Sequence, residues 1–413
     1  MADAGIRSQS LPASGSNNWY GHYSAVDASL RAMAAGGFWL DEYTGTDDEK
    51  LTSAIADQQA ATDRNMPPIV LPDRPLTFNQ VRTAYSGLKL IASHATGQKN
   101  PELSSGTYVG PEVTLGAAVS SGTSSWWVGT GSIYDVFMSG FSVQGSSSAA
   151  THQFWDQNSG TLYACEFNAL SFNFMRGVFG RYDRVCYFTQ VMLTGSWTMN
   201  NLWETQIHVG GSDDALFMGS LCNIGTSQSA AQTGSYSTQF YDIYLEGISN
   251  TNVGMIYLSL LNGHRGLRVG GTSGNGINFH GGVYEGYKGT GTTAGGQPLR
   301  ASGSVVRLDS GSGSFFGGNF GQAMASPNAA EHGYIEVAGG EWDFFGPTFY
   351  RGDTADTVPV LYQSGGRVLI QGAKMRQNET WSTRPKYQLS GVTAGASSST
   401  PAFYCPDQSL VTV

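Results

Sequence analysis

Residues 277–284 read Ile-Asn-Phe-His-Gly-Gly-Val-Tyr, which is a short apolar strand, a glycine corner and the start of a second strand. Three later stretches, residues 314–320, 343–349 and 369–375, repeat this arrangement. The glycines that mark the corner lie 36, 29 and 26 residues apart, and they are Gly281, Gly317, Gly346 and Gly372. Repeats at this spacing indicate a solenoid of stacked coils whose loops differ in length.

Each of these units is preceded by another apolar strand, at residues 267–269, 305–308, 334–337 and 360–362. Residues 216–219, after a strand at 207–209, read as an earlier copy. Coils of a parallel solenoid stack at about 4.8 Å, so that equivalent residues form ladders. Inward positions must be apolar, and corners favour glycine because it adopts a positive φ at little cost. The pattern predicts an all-β fold, a right-handed parallel β-helix, rather than a β-propeller, whose blade signatures are missing.

The composition agrees with a large folded β-protein. Glycine provides 56 of the 413 residues, about twice its usual share of ~7%. Charged residues make up 13%, about half the usual ~25%, which excludes a coiled coil. The formal net charge of −9 argues against a nucleic-acid partner. No apolar run reaches the length of a membrane span, and the first residues lack the pattern of a secretory signal.

Two short N-terminal helices are predicted before the first strands. Residues 22–36 have helical spacing of apolar residues and would cap the fold or dock on a partner. Residues 44–63 begin with a capping box, in which Thr46 accepts from the amide of Glu49 and the Glu49 carboxylate reaches back. Short strands are predicted after it, at residues 69–71, 76–78 and 86–91.

Residues 44–95 resemble the beginning of pectate-lyase-like right-handed β-helices, which are common in bacteriophage tailspikes and tail-tip proteins. The resemblance rests on Gly45-Thr46-Asp47-Asp48, the helix after it, the strand that ends in Leu71-Pro72, and residues 87–91. A departure is Pro-Asp-Arg-Pro at residues 72–75, where the family has a Pro-x-Gly-x-Tyr turn. The resemblance implies a homotrimeric virion protein, made in the host cytoplasm, that engages host surface polysaccharide.

The chain is expected to divide into four parts. Residues 1–43 form a polar arm and helix that docks on other virion tail proteins or caps the fold. Residues 44–95 begin the β-helix with its capping helix, and residues 96–378 form its body. Residues 379–413 are a C-terminal segment that forms a strand pair or a trimer contact.

Carboxylates on the solenoid faces are the candidate catalytic groups, because nucleophile-elbow, Walker and metalloprotease motifs are missing. Glu246 and Glu285 both follow an aromatic strand end and precede a glycine. If the intervening 39 residues form one coil, the two carboxylates stack about 5 Å apart, which suits a retaining glycosidase. Two coils would place them about 9–10 Å apart, which suits an inverting one. Asp242 lies on the same strand face as Glu246; the alternative is that these are solvated acids.

Aromatic residues near the repeats are the candidate glycan-binding groups, because Tyr and Trp suit faces that are apolar on one side and wet on the other. These candidates are Trp197, Trp203, Tyr244, Tyr284 and Tyr287. The alternative is that they pack in loops or against sister chains.

Other charged groups suggest weaker sites. A lyase acting on a uronate would need cations, and His264, Arg265 and Arg268 form the basic cluster near the glutamates. No cofactor or metal is predicted, although Asp213 and Asp214 in a Gly-Ser turn would suit calcium as well as an ordinary Asx turn.

The four cysteines lack the spacing of a zinc site. Residues 165–170 and 186–191 read alike, which predicts that Cys165 and Cys186 occupy equivalent positions in stacked coils. Both are expected to be buried free thiols, with a disulfide as the alternative.

Three functions fit these observations. The leading hypothesis is a non-catalytic receptor-binding protein for host surface polysaccharide. The others are a depolymerase that cleaves glycan by hydrolysis or elimination, and a purely structural virion spike. Paired acids in a groove would favour the depolymerase, whereas exposed aromatics without paired acids would favour the binding protein.

Overall fold

The protein is a parallel β-helix in which each coil contributes strands to three long parallel sheets. The structure is a computed structural model. It describes residues 36–61, 66–93, 111–116, 119, 125–145, 152–181, 184–195, 197–200, 207–211, 216–217, 221–226, 241–253, 256–261, 265–271, 275–287, 305–322, 334–351, 360–375, 387–389, 394–395, 403–404 and 411–412. Some strands are described by their backbone alone.

Three sheets run along the axis, and their strands follow one another coil by coil. Sheet 1 contains Phe38–Trp39, Ile69–Leu71, Lys89–Ala92, Phe137–Ser139, Glu166–Asn168, Met192–Thr194, Leu216–Phe217, Asn252–Val253, Ile277–His280, Ser312–Phe316, Glu341–Phe345, Arg367–Gln371, Phe403–Tyr404 and Ala394–Gly395. Sheet 2 contains Pro75–Phe78, Glu112–Leu115, Ser142–Gln144, Ser171–Asn173, Trp197–Asn200, Leu221–Thr226, Ile256–Leu261, Val283–Tyr287, Asn319–Gln322, Thr348–Arg351 and Lys374–Met375. Sheet 3 contains Arg82–Thr83, Ser125–Gly129, Gln153–Gln157, Gly177–Phe179, Ile207–Gly210, Tyr241–Glu246, Arg265–Gly270, Val306–Leu308, Ile335–Val337, Leu361–Gln363, Tyr387–Leu389 and Val411–Thr412, with a side branch of Ile133–Tyr134, Leu162–Tyr163 and Cys186–Thr189.

One α-helix, Asp47–Ala60, lies among the described residues, beside the short 3₁₀ turn Leu40–Glu42. The predicted capping box is confirmed: Thr46 Oγ1 accepts from the Glu49 amide at 3.3 Å, and Glu49 Oε2 accepts from the Thr46 amide at 2.8 Å. The helix predicted at residues 22–36 lies outside the described residues. No described helix has the length and apolar character that crossing a bilayer requires.

The repeats predicted from the glycine corners are confirmed. Gly281, Gly317, Gly346 and Gly372 all have a positive φ, between 65° and 77°. The residues before them are paired in register across the coils, His280 with Phe316, Phe316 with Phe345, and Phe345 with Gln371. The strands that precede each unit are also in register on sheet 3.

The core is an internal ladder of apolar side chains, as stacked coils require. Phe315 is fully enclosed at its centre, with its ring centroid 4.4 Å from that of Phe279 and 4.9 Å from that of Phe344.

Phe315→Ala is expected to lower the free energy of unfolding by about 3–5 kcal/mol, because the cavity cannot close between two stacked neighbours. Chemical denaturation measures this. A change below about 1 kcal/mol would contradict the ladder.

The two described cysteine thiols are buried and form no disulfide, as predicted. Burial raises the pKa of Cys165 to about 12. Their predicted equivalence is wrong. Glu166 pairs with Met192, which places Cys165 level with Val191 on sheet 1, whereas Cys186 pairs with Val209 beside sheet 3.

Candidate active site

The outer face of sheet 3 carries two columns of side chains that run along the helix axis. They arise because inward Ile, Leu and Val residues alternate with outward ones on successive strands. The register places the first column at His208, Tyr244, Arg268, Arg307 and Glu336, which we call the aromatic–arginine column. Two residues further along each strand lies the acid–glycine column of Gly210, Glu246, Gly270 and Asp309.

A cleft of about 630 Å³ opens on this face. Its functional side chains come from three neighbouring strands and the turns between them: Asn158, Arg184, Tyr187, His208, Tyr244 and Glu246. The cleft therefore combines an acid, a histidine, a guanidinium and two phenols within a few coils.

Glu246 is held by His208. The Nδ1 atom of His208 lies 2.6 Å from the carbonyl oxygen of Arg181, and its Nε2 atom lies 2.6 Å from Glu246 Oε2. Because a carbonyl oxygen only accepts, Nδ1 carries a hydrogen. Nε2 of His208 and Oε2 of Glu246 lie at hydrogen-bonding distance, so a proton carried by either group can lie between them.

Tyr244 has both faces of its ring covered. The His208 ring stacks on one side at 4.5 Å between centroids, and the Arg268 guanidinium lies 4.6 Å from the ring centroid. A sugar ring therefore has no face of Tyr244 on which to stack. What the residue offers is its hydroxyl group, which points toward Gly270.

The side-chain position of Gly270 is empty, and we call this space the Gly270 gap. A Cβ atom there would lie 3.4 Å from the Cε2 atom and from the hydroxyl of Tyr244, and 3.5 Å from Asp309 Oδ2. Glu246 is one coil before the glycine and Asp309 is one coil after it. Two coils separate the acids, so their Cα atoms lie about 9.6 Å apart.

Two arginines compensate the charge of Asp309. Arg268 Nε donates to Asp309 Oδ2 at 2.6 Å, and Arg307 Nε donates to Oδ1 at 2.6 Å. Arg307 also lies 3.4 Å from Glu336. The site thus holds one acid beside a histidine and one acid between two arginines.

At the other end of the cleft, Arg184 pairs with a buried acid. Its Nη1 atom donates to Asp156 Oδ2 and, at 2.7 Å, to Asn158 Oδ1. The Asp156 side chain is almost fully enclosed, whereas the guanidinium is partly exposed. This end of the cleft is therefore polar with its charges balanced.

No protein-family model and no curated protein matches the chain. The similar solved structures include DFA-IIIase from Arthrobacter chlorophenolicus A6 in complex with GF2, with a TM-score of 0.52 and 12% identity over 92% of this chain and 98% of that chain. A second structure of the same enzyme gives a TM-score of 0.51 and 12% identity over 87% of this chain and 96% of that one. The likeness shows the fold. It agrees with the predicted parallel β-helix.

The predicted pair of Glu246 and Glu285 is not formed. Glu246 lies on sheet 3, where it pairs with Gly210 and Gly270, whereas Glu285 lies on sheet 2 between Ser259 and Gly321. The expected stacking of the two is wrong, because the chain passes to another sheet over the 39 positions that separate them. Asp242 does lie on the strand of Glu246, although its side chain is outside the described part.

Two of the predicted glycan-binding residues are corrected by burial. Trp197 is 1% exposed and Tyr284 is fully enclosed, and both pack in the core. Neither reaches a ligand on the surface. Tyr287 lies on sheet 2 with its side chain undescribed, and Trp203 lies outside the described residues.

The remaining predicted groups are only partly visible. Asp213, Asp214 and His264 lie outside the described residues, and Arg265 begins a strand of sheet 3. Arg268 does belong to the site, but as a partner of Asp309. Among the described residues, no group of three His, Cys, Asp or Glu side chains is arranged to hold a metal ion.

His208, Tyr187, Asp309 and Gly270 were missed as site residues. A signal for His208, Gly270 and Asp309 exists in the sequence, because four stretches share one alternating pattern: Ile207-His-Val-Gly210, Ile243-Tyr-Leu-Glu246, Leu267-Arg-Val-Gly270 and Val306-Arg-Leu-Asp309. Aligning their inward residues brings both columns into view.

Proposed function

We propose that this chain is a carbohydrate-active enzyme that hydrolyses a glycosidic bond on the outer face of sheet 3. The observation that carries the proposal is the acid–glycine–acid arrangement of Glu246, Gly270 and Asp309 in one column. Glycoside hydrolysis uses two carboxyl groups on opposite sides of the bond, one protonated and one ionised. In this proposal Glu246 takes the protonated role and Asp309 takes the ionised role.

Glu246 is the general acid. In this role its carboxyl group donates the hydrogen that the leaving oxygen takes up as the glycosidic bond breaks. His208 is a positioning residue, since its Nδ1–H is fixed by the Arg181 carbonyl and its Nε2 lies 2.6 Å from Glu246 Oε2. The Tyr244 hydroxyl points toward the Gly270 gap, where it is placed to contact a sugar hydroxyl.

Asp309 is the general base. Each of its oxygens accepts from one arginine and keeps a second lone pair for a water molecule. The Cα atoms of the two acids lie two coils apart, about 9.6 Å. An inverting reaction places a water molecule between the carboxyl groups, and inversion is the outcome we expect. Elimination from a uronate would need free cations, and Arg268 and Arg307 already compensate Asp309.

Substrate and setting follow from two further supports. The fold neighbour DFA-IIIase was solved in complex with GF2, which makes GF2 a sensible first compound. The resemblance of residues 44–95 to tailspikes supports a host surface polysaccharide as the natural substrate. On that resemblance we also propose a homotrimeric virion tail protein that docks through its N-terminal arm.

The test is incubation of the full chain with GF2 and with purified host surface polysaccharides. Products are sized by chromatography, and the anomeric configuration at the cleaved bond is followed by NMR during the first turnovers. We expect shorter chains with inverted configuration. Retention would contradict the roles of the two acids, and an unsaturated uronate would indicate elimination. Glycan binding without any shortening of the glycan would contradict the proposed enzyme activity and favour a receptor-binding protein.

Gly270→Ala tests the gap between the acids. The added methyl group fits at 3.4–3.5 Å from its neighbours, so the thermal unfolding midpoint is expected to change little. It occupies the space that the reacting bond needs, so we expect kcat/KM to fall at least tenfold. Gly317→Ala is the comparison, at the corner that follows the strand Ser312–Phe316, where the nearest non-neighbouring atom is 4.0 Å from the added Cβ. The positive φ of Gly317 strains this variant, but the folded protein should keep its activity. An unchanged kcat/KM in Gly270→Ala would contradict the proposal that the reacting bond lies over Gly270.

A further inference from the structure

We infer that Tyr187 is the stacking platform for a neutral sugar ring in the cleft, two coils before Glu246. The inference rests on the proposed function and deepens it by assigning a binding subsite. It also gives the direction in which the glycan lies.

The register places Tyr187 in the same column as the two acids. Tyr187 pairs with Gly210, and Gly210 pairs with Glu246. The column therefore reads Tyr187, Gly210, Glu246, Gly270 and Asp309, with a glycine between each pair of functional side chains. Tyr187 and Asp309 each lie two coils from Glu246, about 9.6 Å at the Cα atoms.

The ring of Tyr187 is open to a ligand. The residue is 50% exposed, unusually high for a large apolar side chain in this protein. Its Cε1 atom lies 3.5 Å from the position that a Cβ of Gly210 would take. The ring thus lies over the glycine and lines the cleft. No other described aromatic ring stacks on it, in contrast to Tyr244.

The charges around Tyr187 point to a neutral sugar. Arg184 lines the same end of the cleft, but Asp156 already compensates its guanidinium. Asn158 accepts from Arg184 at 2.7 Å and brings an amide to the same place. An uncompensated cation would attract a uronate carboxylate, whereas balanced polar groups suit hydroxyl groups. An apolar ring face beside such groups matches the amphipathic surface of a sugar.

These positions give the glycan a direction. A chain that stacks on Tyr187, crosses Gly210 and presents its bond to Glu246 lies along the helix axis. The scissile bond then falls over Gly270, between the two acids. Cleavage therefore requires sugar on the Tyr187 side of the bond, and oligosaccharides that lack it should be poor substrates.

The experiment uses the full chain with Glu246→Gln, so that glycans bind without turnover. This protein is applied to an array of defined neutral and uronate-containing oligosaccharides, and affinities are then measured for the glycans retained. Tyr187→Ala is added in the same background and is expected to lower affinity about tenfold or more. Tyr187→Trp is expected to keep most of it. Tyr134→Ala is the matched control, because Tyr134 is 48% exposed on the same branch but stacks on Tyr163 away from the cleft.

The outcomes separate the inference from the function. Loss of neutral-glycan binding in Tyr187→Ala but not in Tyr134→Ala supports the platform. Equal affinities in the two variants, or a preference for uronates, would contradict the stacking role of Tyr187. Neither result would contradict the proposal that Glu246 takes part in hydrolysis. If the wild type cleaves no glycan and the array retains none, the proposed function itself fails, and the platform with it.

Discussion

Replacing Glu246 by glutamine is expected to lower the rate of glycan cleavage by about 10²–10⁴-fold, the usual contribution of a general acid. The amide keeps the size of the side chain, and its N–H can donate to Nε2 of a neutral His208. The cleft therefore stays in place while the transferable proton is lost. The measurement is kcat on the same glycan that the wild-type protein shortens.

A matched acid elsewhere serves as the control. Glu341 lies on sheet 1, where its side chain is 69% exposed and only loosely paired with Arg367. Glu341→Gln should cleave at the wild-type rate. If Glu246→Gln has wild-type turnover and an unchanged unfolding midpoint, Glu246 is not the general acid.

Replacing Asp309 by asparagine is expected to have two effects. Cleavage should fall by about 10²–10⁴-fold, because an amide cannot take a proton from water. Stability should fall by about 1.5–3 kcal/mol, because Arg268 and Arg307 lie in register on adjacent coils and lose their shared counter-ion. Both quantities are measured on one preparation, by initial rates and by chemical denaturation.

A structural role alone would look different. If Asp309 only held the arginines, stability would fall while the folded fraction kept its wild-type kcat, and that result would contradict the role of base. Asp343→Asn is the comparison, because Asp343 is a partly buried acid on sheet 1 whose pKa is raised by burial. Its loss should change neither the rate nor the product configuration.

The sequence predicts the fold well because short local sequence patterns determine the register of a parallel solenoid. Gly281, Gly317, Gly346 and Gly372 occupy equal corners, and each must adopt a positive φ. The capping box of Thr46 and Glu49 is equally local, since both partners lie within one helical turn. Such features need no knowledge of distant contacts.

The site was harder to predict, because residues in similar stretches of sequence do not always occupy equivalent positions in the coils. Glu246 and Glu285 share a Tyr and a Gly in their surroundings, yet they lie on different sheets. The same error paired Cys165 with Cys186. Only the alternation of inward residues identifies the true coil partner, and coil lengths on this chain vary too much for spacing to reveal it.

Burial was also hard to assign from the sequence. Trp197 and Tyr284 were expected to bind glycan, but they pack inside the coils. The open ring belongs to Tyr187, on a side branch of sheet 3. An aromatic residue that points inward and one that points outward differ by one position in a strand, and short strands show too little alternation to decide.

The most direct test is a crystal structure of the Glu246→Gln protein with a bound oligosaccharide taken from the binding array. We expect the glycan to lie along the outer face of sheet 3, with a glycosidic oxygen beside residue 246, a sugar ring against Tyr187 and a water molecule on Asp309. A glycan bound on the outer face of sheet 1 or sheet 2, with the acid–glycine column empty, would contradict this site.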